Sequence, residues 1–356
     1  MRVIGDDAPL DPLTAIAASA APTVLEGRYR LLIGTLWRMR RSRRSRWALA
    51  AASGAFVLIV ALLAARHFAT TAWPLSRGHP GWLVAAGLLL LLAQALKAFG
   101  WARLFARAER PRTMALAAGN GGAALVGVVL PGRFDDATRI AVVRRYGSCP
   151  AGVRALGLSL VMLGLIDSAA LAPLAVVAAA FPGAGLAVRA ALVVVAVAGV
   201  SAGALIVALP RLAASRRALR FRLGRWLSPR TTALRGASEA WALVSACWLV
   251  RGVALFMLLG TLGVGFSFPL ALVFLCAGAA AAALPIGPAG AATQAGASGA
   301  ALIASGVGAA QAISVAVSSA ALGVFSGAAV FLAAIAWRAG TTARRNRSYG
   351  GPARWL

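Results

Sequence analysis

Acidic side chains are scarce in this chain, nine among 356 residues, so the few that sit among apolar residues are the first candidates for chemistry. Asp135 and Asp136 stand side by side in VVLPGRFDDATR, Val128 to Arg139, with Arg133 before them and Arg139 after. Asp135 and Arg139 are four residues apart, which puts them on one helix face where they can pair. Arg133 and the free amides of a helix beginning near Phe134 would face an anion such as a phosphate. The plainer alternative is a solvated helix start, with Asp135 as cap and Arg139 on the surface. A third acid, Asp167, lies in the middle of an apolar run. A carboxylate at such depth is a functional candidate and needs a partner, for which Arg251 or Arg139 is available. A purely structural buried pair is the other reading. Lys97 and Arg103 near the end of another run are expected to snorkel, and Glu239 and Arg189 to be interfacial.

Other chemistries lack their residues. Cys149, Cys247 and Cys276 are far apart with no metal or disulfide spacing, and His67 and His79 share one loop. An aspartate-motif phosphatidyltransferase would need further aspartates a few residues downstream of Asp136 to hold metal, whereas the next acid is Asp167. No Ser/His/Asp cluster and no ATP-binding motif is present, so neither an enzyme nor a cofactor is expected, and no metal.

These residues must be positioned by membrane helices. Sixty per cent of the chain is hydrophobic and only 13% charged, more apolar surface than a soluble chain of this length hides. The net charge of +27 is carried by arginines in short segments between apolar runs, the positive-inside pattern rather than a nucleic-acid footprint. Residues 28–46 carry eight arginines and are expected to lie as a basic helix on an anionic leaflet. No signal-peptide cleavage pattern follows them.

Apolar runs cover 47–65, 82–99, 114–131, 155–181, 188–209, 238–259, 269–284 and 309–336. Eight simple spans with a cytoplasmic start would leave 211–235, with eight arginines and no acid, outside the cell. The conflict disappears if two runs turn back. Run 114–131 is interrupted by Gly119-Asn120-Gly121-Gly122 and stopped by Leu130-Pro131-Gly132, and would return through 133–146. Run 269–284 meets LPIGPAG, with Pro285, Pro288 and Gly290, and would return through 291–304, with Gly306 and Gly308 at the exit. The expectation is an all-α polytopic membrane protein. It has six full spans and two oppositely oriented re-entrant hairpins, a weak inverted repeat of the kind that builds midplane sites. Both termini would be cytoplasmic, with a basic tail at 1–46, a transmembrane domain at 47–337 and a basic tail at 338–356.

The stretches NGGAALVGVVLPGRFDDATRIAVVRRYG, SLVMLGLID, CWLVRGVALFMLLGTLG and LPIGPAGAATQAGASGAALIASGVGAAQA resemble the lysylphosphatidylglycerol synthase transmembrane-region family, also called flippase-like domain proteins. The resemblance covers about residues 45–340. It rests on the Asn120…Leu-Pro-Gly-Arg-x-x-Asp-x-x-Arg stretch and on the later Pro-x-x-Pro-x-Gly turn. It implies a lipid-handling membrane domain. In the two-domain members that domain moves aminoacylated phospholipid beside a soluble aminoacyl-transferase, which this chain, reaching only Leu356, is expected to lack. The chain departs from the family where Leu163-Gly164 replaces a frequent Glu-Arg, where Gln294 replaces a frequent Glu, and where 316–322 has no arginine.

The function expected from these features is a flippase or transporter of a lipid or lipid-linked saccharide in the cytoplasmic membrane. Its anionic headgroup would be held by Asn120, Pro131, Gly132, Arg133, Asp135, Asp136, Arg139, Asp167, Arg251, Pro285, Pro288, Gly290 and Gln294. The alternative is a non-transporting scaffold or partner of a lipid- or glycan-synthesis enzyme. Membrane lipids are the expected partners under either reading.

Overall fold

The computed structural model describes residues 74–127, 134–146, 149–215, 220, 234–283 and 290–349. Nine α-helices account for most of them: α1 Pro80–Arg103, α2 Thr113–Val126, α3 Phe134–Arg145, α4 Val153–Ala179, α5 Leu186–Ala213, α6 Leu234–Thr261, α7 Phe268–Ala283, α8 Gly290–Ala304 and α9 Ala309–Tyr349. No strand occurs among the described residues. The expected first span at 47–65, the basic segment 28–46 and both Leu-Pro turns lie outside them.

Length sorts the helices. With 24, 27, 28, 28 and 41 residues, α1, α4, α5, α6 and α9 each exceed the hydrocarbon thickness of about 30 Å at about 1.5 Å per residue. These five long apolar helices make this a multi-pass membrane protein. They fall on five of the six expected spans. By contrast, α2 and α7 have 14 and 16 residues, about 21 and 24 Å over the described residues, less than the hydrocarbon thickness. α9 also runs on, unbroken, from the expected span into the expected basic tail.

Small residues let the helices approach closely, which is how apolar helices associate when lipid is as oily as their side chains. Gly100 of α1 sits against the Ala240 carbonyl and the Val244 side chain of α6, while the His79 amide donates to Thr261 Oγ1 at 2.8 Å. α1 and α6 are therefore antiparallel along their length. α4 and α5 form a second antiparallel pair, with Gly199 against the Ser168 carbonyl and Ala172. α2 packs on α3 through Gly119, which meets Val143 and the Arg139 carbonyl. α2 also packs on α9 through Gly121, which faces Gly327 and Phe331. α8 packs on α7, where the Ser298 hydroxyl donates to the Phe274 carbonyl at 2.9 Å, and on α9, where Gly299 faces Ala312 and Ala316.

Contacts between helix ends define two faces. At one, His79 meets Thr261, Gln311 Nε2 donates to the Gly263 carbonyl, and Gly185 lies against the Ala304 carbonyl. Gly306, at φ +89°, ends α8 there in a left-handed turn, its amide bonding Ile303 while that of Val307 bonds Leu302. At the other face Arg103 pairs with Glu239 and the Arg338 guanidinium donates to the Arg145 carbonyl. Arg211, at the end of α5, and Arg154, at the start of α4, belong to this second, basic face. The chain reaches α2 from α1 at the basic face and leaves α3 at the same face.

The core is filled by Trp101, Leu116, Leu156, Leu163, Ile166, Leu258, Leu259 and Leu272, all essentially inaccessible. Outward, α5 exposes Val193, Val194, Val197 and Val200, one helical stripe. In water such a patch invites association, and in a bilayer it meets acyl chains.

Candidate functional site

α3 begins at Phe134, and its first turn carries Asp135 and Asp136, where carboxylates complement the positive end of the helix dipole. Arg144 and Arg145 in its last turn complement the other end. Between them, Arg139 reaches back to both acids: Nη1 donates to Asp136 Oδ1 at 2.7 Å, and Nη2 lies 3.5 Å from Asp135 Oδ2. The expected Asp135–Arg139 pair is present, and Asp136 is the closer partner. Arg139 Nε is buried and unbonded. The helix-start reading would leave Arg139 solvated, but its side chain is only 20% exposed.

Across the interface, on α2, Asn120 is 4% exposed, and neither its amide nitrogen nor its amide oxygen has a hydrogen-bond partner. An unpaired buried amide costs about 1–3 kcal/mol. Gly119 and Gly121 on either side bring α3 and α9 so close that no larger residue fits, which fixes Asn120 in this interior position.

A second polar group joins three long helices. Lys97 Nζ of α1 donates to Asp167 Oδ2 of α4 at 2.8 Å. The indole N–H of Trp248, on α6, donates to the other carboxylate oxygen at 3.1 Å. The Lys97 and Asp167 side chains are 12% and 20% exposed. Neither expected partner takes this position. Arg139 is engaged on its own helix, and Arg251 lies over the Trp248 ring, 5.0 Å from its centroid. Lys97 therefore does not snorkel. It reaches across to α4, because a carboxylate at this depth is tolerable only with a cation and further donors around it. One turn along α1, Trp101 Nε1 donates to Ser159 Oγ of α4 at 2.9 Å, a second polar link between the same helices.

The remaining expected residues divide simply. Pro131, Gly132, Arg133, Pro285 and Pro288 lie outside the described residues. Gly290 opens α8, and Gln294 follows one turn later, exposed. Sequence reasoning missed Lys97 and Trp248. The signal that could have found Lys97 is that it is the only lysine in a chain of 36 basic residues.

Asp135, Asp136 and Arg139 lie on a 12-residue helix packed against the 14-residue α2. The family model described as the lysylphosphatidylglycerol synthase TM region matches residues 46–330. The chain belongs to that family. The match spans the membrane part and includes no aminoacyl-transferase domain. Comparison with curated proteins and with solved structures gives no match. Family membership connects this membrane protein with lipids.

Proposed function

We propose that the protein is a flippase or transporter of a lipid or lipid-linked saccharide. Its anionic headgroup would enter a midplane cavity between two re-entrant hairpins, α2–α3 and α7–α8. The observation that carries this reading is the register of both hairpins along α9. Gly121 faces α9 at Gly327 and Phe331, so the end of α2, five residues on, reaches about 7.5 Å deeper. Gly299 faces Ala312 and Ala316, so the start of α8, nine residues back, lies about 13.5 Å away in the opposite direction. Both broken ends arrive near the level of Gly323, from opposite faces. Paired broken helices meeting at one depth are how transporters frame a midplane site.

In this reading Arg133 and Arg139 contact the phosphate and the aspartates hold the arginines in place. The acyl chains stay in lipid, and movement is downhill or ion-coupled rather than enzymatic. The basic face is cytoplasmic by the charge rule, in the cytoplasmic membrane. A second reading, a non-transporting partner of a lipid- or glycan-synthesis enzyme, is favoured by Gly164 and Gln294, which are uncharged where the family resemblance implies charge.

Reconstitution separates the two. Proteoliposomes with fluorescent phosphatidylglycerol in both leaflets are treated with dithionite, which quenches only the outer one. Transport predicts quenching well beyond the outer-leaflet share, reduced about tenfold in rate by Arg139→Gln, the loss of a charge-assisted contact. Arg216→Gln in the arginine-rich segment 211–235 should change little. Quenching that stops at the outer leaflet for the parent protein would leave the partner reading.

A further inference from the structure

The acids and bases of the membrane part are unevenly shared. Asp135, Asp136 and Arg139 together carry one net negative charge, and both aspartates already occupy the guanidinium. The group on α1, α4 and α6 is the reverse. Lys97 and Arg251 stand within 5.8 Å of the Trp248 ring centroid, and Asp167 is the one acid bonded there. Among the described residues no carboxylate lies within ion-pair distance of Arg251. Arg251 is also deep, ten residues or about 15 Å from the end of α6 at Thr261. A guanidinium at that depth, set over an aromatic face, is costly unless an anion or water reaches it.

The geometry points to an anion seat of its own: Lys97 and Arg251, gathered around Trp248, hold one phosphate-type anion, with Asp167 as the resident counterion that the anion displaces from Lys97. Three features fit this assignment. Lysine has three rotatable donors, so its ammonium can turn from Asp167 to an arriving oxygen without leaving its place, which a rigid guanidinium fork resists. The indole N–H keeps Asp167 bonded when Lys97 turns away. Gly164, one turn before Asp167, is exposed, and a Cβ there would meet nothing within 4 Å, so this side of Asp167 is open. The seat deepens the transport reading and rests on it only for the source of the anion. A lipid headgroup and free inorganic phosphate present the same oxygens.

The test is binding to purified protein in a zwitterionic or uncharged detergent. Titrants are inorganic phosphate, a short-chain phosphatidylglycerol and the matching diacylglycerol without phosphate. The expected results are binding of a phosphate-bearing titrant but not the diacylglycerol, and a loss of about tenfold, 1.4 kcal/mol, on Arg251→Gln. Asp167→Asn should bind severalfold more tightly, since Lys97 is freed and no acid competes. A purely structural ion pair predicts no gain. Phosphatidylglycerol binding that free phosphate fails to displace identifies the headgroup as the source, and displacement identifies a soluble anion.

Parent-like affinity in folded Arg251→Gln, or no tightening in folded Asp167→Asn, overturns the seat. If Asp167→Asn does not fold, Lys97→Gln/Asp167→Asn removes both charges together, and adding Arg251→Gln in that background must still cost about tenfold. The transport reading fails separately. Arg251→Gln and Asp167→Asn can shift binding as expected while the proteoliposomes show no lipid movement, and lipid can move and respond to Arg139→Gln while neither of these changes matters.

Discussion

Asn120 shows how a single side chain can bear on ligand and stability at once. Its amide is buried with both polar atoms unbonded, on a helix whose neighbouring glycines admit no shift away from the interior. Leucine has nearly the same shape and no polar atoms to satisfy. Asn120→Leu is therefore expected to stabilise the ligand-free protein by about 1–3 kcal/mol, the penalty it removes, and to weaken phosphatidylglycerol binding. Thermal unfolding in detergent checks the first part and titration the second. A loss of stability would mean that the amide is bonded in the working protein. Asn120 was legible as a motif residue, and so was the pairing of Asp135 with Arg139, because four-residue spacing on a helix decides it. The partner of Asp167 was not legible. It depends on how α1 and α4 are rotated about their axes, and by position alone Lys97 reads as a residue near the end of its run.

At the scale of helices, stability rests on where backbones touch. A Cβ at Gly121 would lie 2.5 Å from the Gly327 carbonyl oxygen and 2.9 Å from the Phe331 nitrogen, both backbone atoms that cannot swing aside. Gly121→Ala should force α2 and α9 apart at a cost of about 1–3 kcal/mol, seen as a lower unfolding temperature. Gly164→Ala meets nothing within 4 Å and should be neutral or stabilising by up to about 1 kcal/mol, the helix-propensity gain. Equal effects of the two changes would argue against a tight α2–α9 contact. The helices themselves were legible from long apolar runs and Pro-Gly interruptions. Their packing was not, because a chain rich in alanine and glycine offers many similar contact stripes, and one sequence does not say which of them meet.

For the molecule as a whole, the two faces carry the orientation. Arg103, Arg145, Arg154, Arg211 and Arg338 belong to one face, where α5 ends and α6 begins. Single cysteines in a background lacking Cys149, Cys247 and Cys276, probed with an impermeant maleimide on intact cells, test the assignment of that face to the cytoplasm. Labelling is expected at Val264 and Gly183 and not at Ser215 or Ser228. External labelling at Ser215 would reverse the orientation and with it the direction from which each hairpin enters.

The longest helix has a mechanical consequence. At 41 residues α9 measures about 61 Å, against about 40–45 Å for a bilayer including its headgroups. Upright or moderately tilted, it is longer than the membrane is thick, so its final turns project as a stiff strut rather than a slack tether. The helix continues for about 17 Å beyond Arg338, which is bonded to α3. A turning motion of the first hairpin would therefore swing the tip of that strut through an arc at the membrane surface. A spectroscopic distance probe placed at Tyr349 would read the hairpin's movement from outside the bilayer.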